Sequence, residues 1–345
     1  MNLQSVNYHQ LFTICNEKGF SIYHSYPIKE IKKFNIGSIL SASIYRRSNI
    51  LALVGGCNND VKTEIEPFDS NNKLHIWDAD LQKSIQTIEF KHPILLTLFI
   101  NSYLIVIFLT KIYFYQVEML ENSLIINNIF KIISTYLNPL ALFNYTLKLE
   151  NQNQNQAVKY ITLGTQPGTI YISSITVNDI HKPSSNDIML KVHKSNISQF
   201  CLSLDGFLFA TASNNGTHIK VFDVILGSNN TILKYKLRRG YTSGDILSLS
   251  FSKDTSILLC NTDYSIHVFR LNDKDIAQSN HITFEYEYIS FMNSQWISPS
   301  LILAIQCRYN TDFSWKILEF NKETNELEHR SYGRLLKDDP CLVFQ

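Results

Sequence analysis

One pattern recurs at corresponding places along this chain: HIWD at residues 75–78, KVFD at 220–223 and HVFR at 267–270. Around each lies the same succession: an apolar run, a turn, a run of small apolar residues, a polar turn, the pattern itself, a further turn and a closing run. Full copies span 41–90, 194–239 and 245–290, and weaker copies span 94–132 and 140–192. The runs are rich in β-branched and aromatic residues and are separated by Asn, Asp, Gly or Ser, which is how short strands joined by tight turns read. Helical periodicity longer than two turns is absent. A unit of roughly 40 to 50 residues is the size of a four-stranded propeller blade, and the chain has room for about seven. The expected fold is therefore all-β, a seven-bladed WD40-like β-propeller of four-stranded blades occupying residues 1–345 as one domain.

The opening QLFTICNEKGFSIYHSYPIKEIKKF reads as the last three strands of a blade. Its missing partner is expected from the C-terminal end, which removes both sheet edges. The C-terminal unit after Trp296 is the faintest copy. Residues 55–72 and the low-complexity ENQNQNQA at 150–157 read as exposed loops.

With 45% hydrophobic and 18% charged residues the chain can bury a substantial core. A formal net charge of +1 argues against general attraction to nucleic acid, so any anion site is local. Six cysteines show neither a CxxC pair nor metal-ligand spacing. Cys201 and Cys260 lie in apolar runs, where a reduced core thiol is expected. The N-terminus lacks the basic and apolar regions of a signal peptide. The most apolar stretch, residues 92–117, is interrupted by Asn101-Ser102 and Thr110-Lys111. A membrane-spanning helix needs about 20 consecutive apolar residues, so three buried strands fit better.

No catalytic constellation is present: neither a GxSxG elbow, a phosphate-binding GxxxxGK[ST] loop, HExxH nor a dinucleotide fingerprint. His193, His218 and His267 have only generic serines or carboxylates nearby in sequence and read as turn or strand-end histidines. No cofactor, metal or enzymatic activity is expected.

The exception to blandness is Arg238-Arg239-Gly240, at the end of the outer strand of the fifth blade. Adjacent strand residues point to opposite faces, so the two arginines cannot grip one target together. One reading makes them solvated strand-end charges. The other gives each its own partners: His193, Ser195, Ser198, Thr211, Ser213 and Thr217 on the blade 5 side, Thr262, Ser265 and His267 on the blade 6 side. An arginine fork with hydroxyls and an imidazole is a suitable receptor for a phosphate monoester.

KLRRGYTSGDILSLSFS resembles the F-R-R-G region of the PROPPIN family, WD-repeat-like seven-bladed propellers. NNKLHIWDADLQKSIQTIEF, LTKIYFYQV, STYLNPLAL and HKSNISQFCLSLDGFLFATASNNGTHIKVFDV resemble other landmarks of that family, and the likeness covers six of the seven blades. The resemblance implies recognition of phosphatidylinositol 3-phosphate and 3,5-bisphosphate through two rim pockets. Arg238, His193, Ser195, Thr211 and Thr217 would form the first, and Arg239, Thr262, Ser265 and His267 the second. It also implies recruitment of autophagy-related proteins through blades 2 and 3, and a monomeric cytoplasmic protein peripheral on preautophagosomal, endosomal or vacuolar membranes. A protein-interaction propeller with degenerate lipid sites is the alternative. Leu237 stands where the motif has Phe, Leu140-Ala141 where the family has x-Gly, and the turn at Asp263-Tyr264 is one residue short. The blade 6 connection at 272–281 is short and polar, where many members carry a membrane-inserting loop.

Overall fold

The computed structural model describes residues 11–46, 48–56, 68–120, 123–149, 156–176, 187–224, 231–263, 265–271, 282–285, 291–308, 312–321, 323–324, 326–335 and 342–344. Their strands form seven four-stranded antiparallel sheets, the blades of a seven-bladed β-propeller. The chain divides into two compact units, Met1–Ala141 with Asp339–Gln345, and Leu142–Asp338.

The first unit holds three blades. Blade 1 is β1 (Leu11–Asn16), β2 (Phe20–Ser25) and β3 (Ile28–Phe34), completed by the C-terminal β28 (Leu342–Phe344). Ile14 pairs with Phe344 and Asn16 with Leu342, so the missing strand comes from the end of the chain as expected. Blade 2 is β4 to β7 (Ile39–Ile44, Ile50–Gly55, Lys73–Asp78, Lys83–Glu89). Phe20 and Phe34 of blade 1 stack 4.9 Å apart, and Trp77 of blade 2 meets Phe34 edge-on at 5.0 Å. Blade 3 is β8 to β11 (Leu96–Ile100, Tyr103–Ile107, Lys111–Leu120, Ser123–Ser134). Its first three strands account for the apolar stretch at 92–117. All of β8 and β9 is buried, and a strand covered on both faces has no polar alternation to show. Among the described residues no helix is long and apolar enough to cross a membrane. After β11, the buried Asn138 donates its N–H to the Leu109 carbonyl. Ala141, where the family has glycine, adopts φ 50° and closes the turn with an N–H to the Asn138 carbonyl at 3.1 Å.

The second unit holds four blades: β12 to β15 (Phe143–Leu149, Gln156–Leu163, Thr169–Thr176, Ile188–Lys191), β16 to β19 (Ile197–Leu202, Leu208–Ser213, His218–Val224, Thr231–Arg238), β20 to β23 (Ile246–Phe251, Ile257–Thr262, Ser265–Arg270, Ile282–Glu285) and β24 to β27 (Phe291–Trp296, Leu301–Arg308, Asp312–Asn321, Glu326–Arg334). The last blade begins at Phe291, so Trp296 ends its first strand instead of preceding it. Strand alternation builds the cores between blades. Phe209 and Phe222 of blade 5 pack with Ile161 and Ile170 of blade 4. Ala210, Ile219 and Leu237 turn the other way, against Ile246, Cys260 and Phe269 of blade 6. Ile266 and Val268 continue the scheme with Trp296 and Ile302 of blade 7. Cys201 and Cys260 are buried free thiols, and burial pushes the Cys260 thiol up to about 12. Residues 57–67, 150–155 and the blade 6 connection at 272–281 lie outside the described residues.

Candidate functional site

The end of β19 alternates: Lys236 is exposed, Leu237 fully buried and Arg238 exposed, while Arg239 beyond it is half-buried. Leu237 pairs with Ile219 and belongs to the core shared by blades 5 and 6. The substitution of Phe by Leu thus keeps an apolar anchor there. Because Leu237 faces blade 6, Arg238 and Lys236 face the blade 4 side. Register completes that face: His218 is opposite Arg238, Lys220 opposite Lys236, and Thr211 opposite Lys220.

His193, after β15 of blade 4, reaches this face. It is buried, with Nε2 3.0 Å from the hydroxyl of the fully buried Thr211. Lys220 donates from Nζ to the Val192 carbonyl at 2.6 Å, which places its ammonium beside the histidine. Burial first, and Lys220 second, hold the His193 imidazole down at about 4. It is therefore a neutral, hydrogen-bonded, buried histidine in the turn just past the end of β15. His218 is likewise held below its ordinary value by burial and then by Lys236, Arg238 and Lys220. Its Nδ1 lies 3.1 Å from the Thr217 hydroxyl. The Arg238 guanidinium lies over the ring of Tyr241, 3.6 Å from its centroid, and that ring is 85% exposed. Such stacking holds the flat face of the guanidinium and leaves its N–H edge for an anion. Ser195, half-exposed on the turn before β16, joins neither of these hydrogen-bonded pairs.

The second cluster lies on the blade 5–6 side. Arg239 donates from Nε to the Gly216 carbonyl at 2.5 Å and from Nη2 to the Thr242 carbonyl at 2.6 Å. Thr262, Ser265 and His267 are all buried and form one chain. The two hydroxyls are 2.9 Å apart, and Ser265 Oγ is 2.8 Å from His267 Nε2. The Ser265 N–H donates to the Thr262 hydroxyl at 3.0 Å. Since Cys260 and Phe269 face blade 5, alternation puts Thr262 and His267 on that face too.

Alternation and the Arg239 bond to the Gly216 carbonyl put the two arginines on different sides of blade 5, and the structure relocates the first cluster. Its partners lie in the cleft between blades 4 and 5, not along blade 5 alone. It also adds His218, Lys220 and Lys236. The hairpin register of β18 and β19 carries these residues to Arg238; counting hydroxyls along the turn overlooks them.

No family model matches the chain. The chain is 29% identical to SVP1-like protein 2 of Debaryomyces hansenii over 84% of its own length and 70% of that protein's. It is 28% identical to Autophagy-related protein 18 of Scheffersomyces stipitis, covering 63% of this chain and 41% of that one. Among solved structures, Kluyveromyces lactis Hsv2 with its complete loop 6CD superposes with a TM-score of 0.68 at 18% identity, covering 95% of this chain and 96% of that one. The Atg21 chain solved in complex with the coiled coil of Atg16 gives 0.65 at 19%, covering 97% and 99%. The propeller and the Arg-Arg-Gly motif at the end of β19 agree with these relatives, and it is the PROPPIN family that the chain resembles.

Proposed function

We propose that this chain is a phosphoinositide effector that binds phosphatidylinositol 3-phosphate and 3,5-bisphosphate through two receptors, one in each cleft flanking blade 5. The observation that carries the reading is the alternation at the end of β19: Arg238 shares the strand face of His218, Lys220 and the Thr211–His193 pair, while Arg239, bonded to the Gly216 carbonyl, lies on the blade 5–6 side, where Ser265 pairs with His267. Arg238, His193, Thr211, Thr217 and Ser195 serve the first receptor, with Lys220 and His218 adding charge and donors. Arg239, Thr262, Ser265 and His267 serve the second. The guanidinium supplies charge and paired donors, and the hydroxyls supply short neutral hydrogen bonds. The relative named as autophagy-related, and the Atg21 structure holding a coiled coil, support a role in recruiting autophagy proteins; blades 2 and 3 are the docking side that the family resemblance implies. The direct test is cosedimentation with phosphatidylcholine vesicles carrying either phosphatidylinositol 3-phosphate or unphosphorylated phosphatidylinositol. Binding to the first alone is expected, and equal pelleting with both would sink the reading.

The first receptor carries a pH signature. His193 has a folded value of about 4, below the ordinary histidine value of 6.5, so between these the unfolded chain binds more protons. The stability it contributes is full above the ordinary value and is lost as pH falls toward the folded one. A phosphate dianion beside Thr211 favours the imidazolium, so binding takes up a proton and His193 contributes more as the medium becomes acidic. The ester's own second ionisation, at about 6, opposes this. The readout is therefore the affinity ratio of parent to His193→Gln in vesicle cosedimentation. That ratio should rise several-fold between about pH 7.5 and pH 5.5, whereas a constant ratio would remove His193 from contact with phosphate.

A further inference from the structure

The two clefts differ in charge. In the first, the charged side chains around Arg238 are the cations Lys220 and Lys236. In the second, the charged groups beside Arg239 include carboxylates: Asp263 lies within electrostatic reach of both Arg239 and Asp245. Ile246 pairs with Thr262 across β20 and β21, so the next residues outward, Asp245 and Asp263, stand opposite each other at the mouth of the hairpin. The Arg239 guanidinium lies against this mouth: a Cβ on Gly244 would come 3.0 Å from Nη2. Burial raises the Asp263 carboxyl above its ordinary value and Asp245 raises it further, while Arg239 works against them. From the strand face that carries Thr262, the neighbouring groups are the Ser265 hydroxyl and the His267 imidazole.

We propose that Asp245 and Asp263 determine the selectivity of the second receptor: they repel a phosphorylated headgroup from Arg239, most strongly a bisphosphate, and leave the Arg238 cleft as the principal site. This rests on the phosphoinositide reading above. Arg239 already makes two hydrogen bonds to carbonyls and has Asp263, with Asp245 near it, within electrostatic reach. A phosphate dianion entering there meets two like charges for one cation, whereas in the first cleft it meets three cations. Repulsion of two charges several ångströms apart near a protein surface changes affinity by on the order of tenfold per carboxylate.

The test uses an Arg238→Thr background, which isolates the second receptor, with and without Asp245→Asn and Asp263→Asn. Asn retains the shape of Asp, and Asp245→Asn alone, at an exposed position, provides a variant that leaves the fold untouched. Cosedimentation is measured with vesicles carrying phosphatidylinositol 3-phosphate, its 3,5-bisphosphate, or phosphatidylinositol only. The expected result is a gain of about tenfold or more on phosphorylated lipid, larger for the bisphosphate and erased by adding Arg239→Thr. Soluble inositol 1,3-bisphosphate should compete away the gained binding, and inorganic phosphate at the same concentration should not; the reverse overturns the lipid assignment. Unchanged binding, an equal gain on phosphatidylinositol vesicles, or a gain that survives Arg239→Thr overturns the proposal while leaving the parent's lipid binding standing. A parent that pellets with no phosphoinositide overturns both.

Discussion

Replacing Arg238 and Arg239 together by threonine is expected to abolish cosedimentation with phosphatidylinositol 3-phosphate vesicles, whereas each single replacement only weakens it. A charge-assisted hydrogen bond contributes about 1.5 to 3 kcal/mol, and the loss of translational and rotational freedom opposes association. One exposed headgroup site is therefore a modest binder. Two sites engaging lipids of one bilayer gain from effective concentration, so the pair can exceed either alone by roughly 100-fold. Arg238→Thr should be the more damaging single change, because the cleft it opens is the one lined by Lys220 and Lys236. Stability provides the control. Arg238 is exposed, and its loss should leave thermal unfolding unchanged. Arg239 bonds two backbone carbonyls, and its loss should lower the midpoint slightly, consistent with about 1 kcal/mol per hydrogen bond. A double variant that folds and pellets like the parent would disprove the two-receptor reading.

The blades are legible because a four-stranded blade imposes a repeat on the chain. The patterns at 75–78, 220–223 and 267–270 fall on β6, β18 and β22, the third strand of each blade. The same repeat explains why equivalent positions differ in chemistry. His75, Lys220 and His267 correspond, yet His75 has its own anion, with Nε2 3.1 Å from Asp69 and Nδ1 3.0 Å from Ser84. In blades 5 and 6 the corresponding side chains point at the clefts flanking Arg238 and Arg239. What sequence cannot supply is register. Lys220 lies far from Arg238 along the chain, and only the β18–β19 pairing puts it beside Lys236. Asp245 and Asp263 are separated by a whole hairpin and meet because Ile246 pairs with Thr262. The hydroxyls of Thr211, two residues before the end of β17, and Thr262, which ends β21, are visible in the sequence. His193 reads along the chain as a turn or strand-end histidine, and its burial comes only from the neighbours that folding brings to it.

Gly216→Ala should couple fold to function at the second receptor alone. Gly216 adopts φ +62°, and a Cβ there would stand 1.8 Å from the Gly244 carbonyl oxygen, so backbone on one side of the blade 5–6 junction must move. The left-handed conformation adds about 1 to 2 kcal/mol for any residue with a Cβ. The collision adds to this, and a total loss of roughly 3 kcal/mol is expected in thermal or denaturant unfolding. The Gly216 carbonyl also accepts from Arg239 Nε, so the shift releases the arginine from the position that aims it into the cleft. Vesicle binding should then resemble that of Arg239→Thr, because His193, Thr211 and Arg238 lie on the opposite face of blade 5. Gly168→Ala is the mirror experiment. It has φ +71°, and its Cβ would meet the His193 carbonyl at 2.1 Å, so it should damage the first receptor and spare the second. At Gly240, the glycine of the motif, an added methyl group would meet nothing within 4 Å, so Gly240→Ala should leave stability nearly unchanged. If Gly216→Ala and Gly168→Ala weakened binding without distinction in the two single-arginine backgrounds, the clefts would not be separate receptors. A loss at each that is additive with the distant arginine and redundant with the near one is the outcome that two independent sites require.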